Sequence, residues 1–195
     1  MGTKISLSRY VHSIRFYLLF VSILFIGAIV LGYVGFLSDI FSVQMEGIQE
    51  LSENIKDFTQ SHPSWLIFLV FFIVIFLNNA FTCFLDILLG PLLGIFPMFS
   101  AVINGGLLGW FAQEEGLIVF LAIVPHGIFE IPAFLLCAAI GLKLGREVFK
   151  RKGERHLKKE FNDSLWVFLH LVLPLLLIAA LIESALITFG LLLTT

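Results

Sequence analysis

Residues 104–110, NGGLLGW, and residues 125–133, PHGIFEIPA, lie in a stretch between residues 78 and 133 from which the architecture can be inferred. The stretch is apolar enough to lie in a bilayer, yet it combines polar side chains with residues that disturb helices. The polar side chains are Asn78, Asn79, Asp86, Asn104, His126 and Glu130. Polar side chains at membrane depth usually face the interior of a helical bundle. The sequence therefore predicts a polar site inside a membrane protein.

The composition of the whole chain is that of a polytopic membrane protein. Of its 195 residues, 59% are hydrophobic and 13% are charged, and the mean hydropathy is +1.02. A soluble domain is about 45–50% apolar and about 25% charged. At about 20 residues for each transmembrane helix, the chain is long enough for about five spans and their loops.

The charge-free runs predict an all-α membrane bundle that forms one domain over residues 1–195. The predicted spans are residues 16–37, 64–86, 87–112, 116–142 and 165–193. We expect the third and fourth spans to be discontinuous, because proline removes a helical hydrogen bond and glycine weakens a helix. The interruptions are expected at Gly90-Pro91, Pro97 and Gly105-Gly106 in the third span, and at Pro125 and Pro132 in the fourth. The helix that follows Pro125 would then direct its N-terminus towards the polar site.

Residues 39–62 are predicted to form an amphipathic helix outside the membrane. Their apolar residues recur at helical spacing, while most of the charged ones are acidic. Two interpretations are open for this helix: it packs on the surface of the protein, or it forms a lid over the polar site.

The basic residues are concentrated at one side of the predicted membrane. Eight of the twelve Lys and Arg residues lie in residues 143–163, which we interpret as a basic cytoplasmic loop, and three others precede the first span. By the positive-inside rule the N-terminus is cytoplasmic, and an odd number of spans places the C-terminus outside. We therefore expect a multi-pass protein of the cell membrane. Topology and anionic lipid explain the basic block, and no nucleic-acid partner is indicated.

Small residues recur at a spacing of four in two places, at Ala101, Gly105 and Gly109 and again at Gly141 and Gly145. Such ridges allow helices to approach closely, either within one chain or between two copies. Packing within the chain is the favoured interpretation for these ridges. A homodimer is nevertheless expected, because a five-span unit with broken helices would leave much small-residue surface uncovered. Cys83 and Cys137 fall in apolar helical stretches and are interpreted as buried small hydrophobic residues.

His126 and Glu130 are four residues apart, so on a helix both side chains point to one side. An imidazole and a carboxylate so placed can bind one divalent metal ion or share a proton. Glu183 and Asn104 are the candidate ligands from other helices, and this mixed nitrogen and oxygen set suits Zn²⁺, Mn²⁺ or Fe²⁺. Asn78, Asn79 and Asp86 are predicted to line the same cavity. The alternative is a hydrogen-bonded network that fastens the helices together.

The chain resembles the stage II sporulation protein M family at these positions. The matching residues are Asn78-Asn79, Gly90, Gly94, Asn104-Gly105, the sequence from Pro125 to Glu130, Ala133 and Glu183, and the resemblance covers roughly residues 65–190. It implies a polytopic membrane fold with Asn104, His126, Glu130 and Glu183 facing inwards. It also implies a scaffold role, because spore-forming members anchor a complex that remodels the cell wall.

Three functions are consistent with the sequence. The first is a membrane protein whose polar cavity binds a divalent cation, as a conduit or a sensor. The second is a membrane scaffold for a cell-envelope complex, which would have envelope proteins as partners. The third is an intramembrane metal-dependent hydrolase in which His126 and Glu130 activate water. We take the first as the working hypothesis and assign no catalytic residue, because the sequence contains no hydrolase, nucleotide-binding or zinc-finger motif.

Overall fold

A computed structural model of the protein describes residues 6–36, Ser38, Phe41 and residues 61–194. Within these ranges, five helical segments are long and apolar enough to cross a membrane. The helices are α1 (Leu7–Tyr33), α2 (Ser64–Leu88), α3 (Ile95–Glu114), α4 (Val119–Phe149), α5 (Leu157–Val167) and α6 (Leu173–Thr194), with a π-helical turn (Phe168–Val172) joining α5 to α6. The predicted all-α, five-span membrane bundle is confirmed.

α4 occupies the centre of the bundle. α1 packs mainly against α3, and α2 packs mainly against α6. α4 contacts all four of these helices and so joins the two pairs. Side chains on α4 can therefore reach residues from either pair.

The interruptions predicted within the spans are confined in the structure to a turn between helices. Residues 89–94 form this turn, and Gly94 ends it with a φ of 71°. α3 then begins at Ile95, and Pro97 falls in its first turn, where the backbone N–H of a helix has no partner within the helix. The third crossing is thus interrupted before α3 and not within it.

α4 is one helix from Val119 to Phe149, with both Pro125 and Pro132 inside it. The expectation that this crossing is broken at the prolines, and that a new helix N-terminus begins after Pro125, is corrected. A proline removes only one helical hydrogen bond, and neighbouring helices in a membrane bundle tolerate that loss.

A different proline does alter the helical geometry. Pro174 lies in the first turn of α6, two residues after the π-helical turn ends at Val172. The N–H of Leu173 donates to the carbonyl oxygen of Phe168, five residues back. A proline ring clashes with the carbonyl four residues before it, and one wider turn relieves that clash.

The basic residues 143–163 are not a loop, which corrects that interpretation. α4 extends to Phe149 and α5 begins at Leu157, so only residues 150–156 connect the two helices. Lys143 forms an ion pair with Glu160 across the two helices, at 2.6 Å between Nζ and Oε2. Paired charges of this kind allow a helix to continue beyond the apolar layer.

The predicted amphipathic helix of residues 39–62 lies, apart from Phe41, Ser61 and His62, outside the described residues. Phe41 is fully buried, and its ring lies against that of Trp110 on α3, with centroids 6.1 Å apart.

Several glycines bring backbones together without intervening side chains. Gly32 on α1 faces Gly106 on α3, and a Cβ at Gly32 would overlap the Gly106 carbonyl oxygen. A Cβ at Gly109 on α3 would likewise overlap the Ile29 carbonyl oxygen of α1. Gly145 on α4 faces Gly94, and a Cβ at Gly145 would lie 2.6 Å from the Gly94 nitrogen. The small-residue ridges are therefore used within the chain, as predicted. The residues of both ridges are buried in the structure, and the homodimer stays a prediction.

We predict that Gly32→Ala destabilises the protein. The added methyl group meets the backbone of α3, which cannot move aside as a side chain can, and overpacking of this kind costs about 1–3 kcal/mol. The control is Gly27→Ala in the same helix, where a Cβ would have nothing within 4 Å. Thermal unfolding of the purified variants in detergent should show Gly32→Ala melting several degrees below Gly27→Ala. Equal melting temperatures would contradict the backbone contact.

Candidate metal centre

A cavity of about 230 Å³ lies between α1, α2, α3, α4 and α6. Its polar lining consists of Asn78, Asn79, Thr82, Cys83, Asn104, His126, Glu130 and Glu183. Asn104 is halfway along α3 and Glu183 is halfway along α6, so the cavity lies near the middle of the spans. Its volume is well above the roughly 10–15 Å³ that one water needs. The structure therefore contains a polar chamber at membrane depth.

His126, Glu130 and Glu183 converge in this cavity. One ligand atom from each of the three residues lies within 4.8 Å of the other two. His126 and Glu130 are one turn apart on α4, and α4 packs against α6, which carries Glu183. The structure therefore brings together the three side chains that the sequence analysis grouped, and all three are partly buried.

The asparagines surround this cluster. The Asn79 side chain lies beside the Glu130 carboxylate in the cavity, and Asn78 Nδ2 lies 3.5 Å from Asn79 Oδ1. Asn104 Nδ2 donates to the Ser100 carbonyl oxygen at 2.8 Å, which leaves the amide oxygen as the Asn104 atom suited to a cation. Hydrogen bonds that orient ligands from outside are a regular feature of metal sites.

The described residues that line the cavity neither balance the negative charge of the cluster nor pair all of its polar atoms. Glu130 and Glu183 are like charges when ionised, and no Lys or Arg lies among the described residues that line the cavity. His126 Nδ1 is buried and has no hydrogen-bond partner in the described part of the chain. A buried polar atom left unpaired costs about 1–3 kcal/mol. A cation or bound protons would compensate the negative charge.

Asp86 does not line the cavity, which corrects its predicted role. It lies two turns beyond Asn79 along α2, about 10 Å away along the axis. There it is 0% exposed, and its Oδ2 lies 3.4 Å from Ser100 Oγ on α3. Asp86 lies on the same helical face as Asn79, but the cavity does not extend far enough along α2 to include it.

His170 also lies away from the cavity. Its Nδ1 is 2.8 Å from the Trp166 carbonyl oxygen, and its ring stacks on that of Trp166 with centroids 4.4 Å apart. The residue is exposed, as expected for a histidine near an end of its span.

Sequence reasoning did not identify Thr82 and the aromatic wall of the cavity. Thr82 Oγ1 donates to the Asn78 carbonyl oxygen at 3.0 Å, and its position four residues after Asn78 could have indicated a shared helical face. Phe25 and Phe134 line the cavity with ring centroids 5.9 Å apart. No signal in the sequence distinguishes these two phenylalanines from the many others. Cys83 and Cys137 are free and buried, as predicted, and Cys83 lies in the cavity wall.

Comparisons with known proteins agree with the resemblance noted in the sequence. The sequence model of the family described as Stage II sporulation protein M matches residues 16–188. An uncharacterized protein of Methanocaldococcus jannaschii is 33% identical over 131 residues, which cover 64% of this chain and 57% of that protein. The match thus spans a little over half the length of this relative. No solved structure matches the chain.

We predict that Asn79→Ala lowers the stability of the metal-free protein, because it removes the polar side chain that lies beside the Glu130 carboxylate in the cavity. A buried polar group that loses its partner costs about 1–3 kcal/mol. The control is Asn162→Ala, which makes the same substitution at an exposed position outside the cavity. Thermal unfolding in the presence of a chelator should place Asn79→Ala below Asn162→Ala. The reverse order would show that Asn79 does not orient Glu130.

Proposed function

The chain belongs to the stage II sporulation protein M family, and we propose that it is an integral membrane protein whose cavity binds one divalent cation. The observation that carries this proposal is the convergence of His126, Glu130 and Glu183, with ligand atoms within 4.8 Å of one another. The cavity around them is polar, lies near mid-span and is large enough for an ion with its waters.

The donor set determines which cations fit. One imidazole nitrogen and two carboxylates suit Zn²⁺, Mn²⁺ or Fe²⁺, whereas Ca²⁺ and Mg²⁺ favour oxygen ligands alone. Ligands at about 2.0–2.2 Å from a tetrahedral metal lie about 3.3–3.6 Å from one another. Rotation of the side chains would bring the three ligand atoms, which lie within 4.8 Å of one another, to that distance. The Asn104 amide oxygen is the proposed fourth ligand.

A bound divalent cation would compensate the negative charge in the cavity. It balances the two carboxylates together, and it gives His126 a partner in a region where water is scarce. It also ties α4 to α6, so its binding and release would alter how these helices pack. That coupling suits a conduit or a sensor for the ion. Binding should weaken as the pH falls, because protons compete for the same lone pairs.

The basic residues support an orientation in the membrane. Residues 150–156, which connect α4 to α5, are flanked by the basic ends of both helices, while Glu114 ends α3 and Glu115 follows it in the connection to α4. By the positive-inside rule we propose that the α4–α5 connection and the N-terminus are cytoplasmic and that the C-terminus is outside.

We predict that Glu130→Gln and Glu183→Gln each lower the metal content of the purified protein by about tenfold or more. The loss of one ligand charge in a low-dielectric cavity removes much of the attraction for a divalent ion. Metal content after equilibration with Zn²⁺ or Mn²⁺ would be measured by elemental analysis, and thermal unfolding would be followed in parallel. Added metal should raise the melting temperature of the wild type and of neither variant.

The matched control is Glu114→Gln, which removes the same charge at the exposed end of α3, away from the cavity. It should bind one equivalent of metal as the wild type does. If both cavity variants keep the metal content and melting temperature of the wild type, the cation site is refuted. Such a result would favour a hydrogen-bonded network and a scaffold function.

The orientation is tested by cysteine labelling of intact cells in a background without Cys83 and Cys137. We expect Glu115→Cys to react with a membrane-impermeant thiol reagent from outside, because it lies in the acidic connection. Lys152→Cys should react only after the membrane is permeabilised. Labelling of Lys152→Cys in intact cells would reverse the orientation.

A further inference from the structure

A second concave site lies between α1 and α4 at the basic end of the bundle, away from the cavity. It is a cleft of about 560 Å³ whose lining includes Lys143, Arg146 and Lys150 from the end of α4 and its continuation. Ser13, Phe16 and Tyr17 line it from α1. The cleft thus combines cationic side chains, hydroxyl groups, two aromatic rings and the Glu147 carboxylate.

Two of the three cations are already neutralised within the protein. Lys143 pairs with Glu160 at 2.6 Å, and Lys150 pairs with Glu147 at 2.5 Å. These are the ion pairs found among the described residues, and neither of them involves Arg146. The guanidinium of Arg146 is therefore the cleft cation whose charge is available to an external anion.

The Arg146 guanidinium is held in position by a hydroxyl group. Its Nη1 donates to the Tyr17 hydroxyl oxygen at 3.0 Å, and Arg146 itself is exposed. A guanidinium has five N–H donors in a fixed fork that matches two phosphate oxygens, and the Tyr17 O–H can donate to a third oxygen. The neighbouring Lys143 Nζ is fixed by Ser13 Oγ at 3.1 Å. This arrangement is preformed for a phosphate group.

An apolar track on α1 leads away from the cleft. Phe16, Phe20 and Ile23 follow the spacing of one helical face and are 69%, 49% and 63% exposed. Phe16 lies in the cleft wall, and the other two lie successively further into the span. The Arg15 guanidinium lies over the Phe16 ring, 4.8 Å from its centroid, and adds positive charge at the start of the track. A phosphate with an attached hydrocarbon chain fits both parts of this surface.

We propose that this cleft binds the phosphate of an anionic phospholipid, with Arg146 and Tyr17 as donors and an acyl chain along Phe16, Phe20 and Ile23. Basic pockets between transmembrane helices are suited to anionic lipid headgroups. The apolar track favours a lipid over a soluble phosphate, because a free anion would leave the track unused. The site is separate from the cation site and does not depend on it.

The test uses the full-length protein in a neutral detergent, with phosphatidylglycerol, phosphatidylcholine or inorganic phosphate added at equal phosphate concentration. Bound lipid is counted by native mass spectrometry, and the shift in melting temperature gives a second readout. Phosphatidylglycerol should bind with one high-affinity equivalent and raise the melting temperature. Inorganic phosphate should produce no shift, and phosphatidylcholine should bind at least about fivefold more weakly because it lacks a net negative charge.

Two variants and one control assign the binding to the cleft. Arg146→Gln should weaken phosphatidylglycerol binding by about fivefold or more, and Tyr17→Phe, which removes only the hydroxyl group, should weaken it in the same direction. Arg151→Gln removes the same charge from the exposed α4–α5 connection and should bind like the wild type. Equal losses in Arg146→Gln and Arg151→Gln would overturn the site in favour of general charge attraction. An equal shift with inorganic phosphate would overturn the lipid as its ligand.

Discussion

The contact of backbone on backbone at glycines is the constraint on which the rest of the bundle depends. Because Gly32 has no side chain, the backbone of α3 packs directly against α1. For the same reason the turn of residues 89–94 packs directly against α4 at Gly145. Apolar side chains gain little by leaving lipid for each other, so close van der Waals packing has to hold membrane helices together. The first contact holds α1 and α3 together, and the second positions α4, which packs against both helix pairs. The cavity forms where the helices around α4 bring polar side chains together.

The cavity illustrates how a membrane bundle accommodates polar groups that lipid would exclude. Asn79 lies beside Glu130, and Asn104 donates a hydrogen bond to the backbone of its own helix. His126 and the two carboxylates are left facing each other with no basic side chain among the described lining residues. A polar group at this depth is expensive unless it has a partner. The uncompensated charge of the two carboxylates and the unpaired Nδ1 of His126 are the physical basis for proposing a cation there.

The ends of the bundle follow a different rule from its centre. At the basic end, one ion pair joins α4 to α5, and Lys143 and Arg146 of α4 reach hydroxyl groups on α1. Water and lipid headgroups can solvate these groups, so the helices extend past the apolar layer and carry charge there. The molecule thus combines a polar cluster inside the bundle, which lacks a compensating charge, with a basic cleft at one end of the bundle.

The sequence by itself determined the class of fold and half of the candidate site. Long charge-free runs can only be membrane helices, because the bilayer forces every backbone group to be paired within its own segment. The spacing of four between His126 and Glu130 likewise places both on one face of any helix that contains them.

The tertiary structure decided the rest, because it depends on contacts between helices that local spacing does not contain. Glu183 meets His126 and Glu130 only because α6 packs on α4 at matching depth. Asp86 shares a helical face with Asn79 but is excluded from the cavity by its distance along α2. α4 continues through Pro125 and Pro132, which are both exposed, because each proline removes only one helical hydrogen bond and contacts with four other helices stabilise the rest of α4; the local sequence does not contain those contacts.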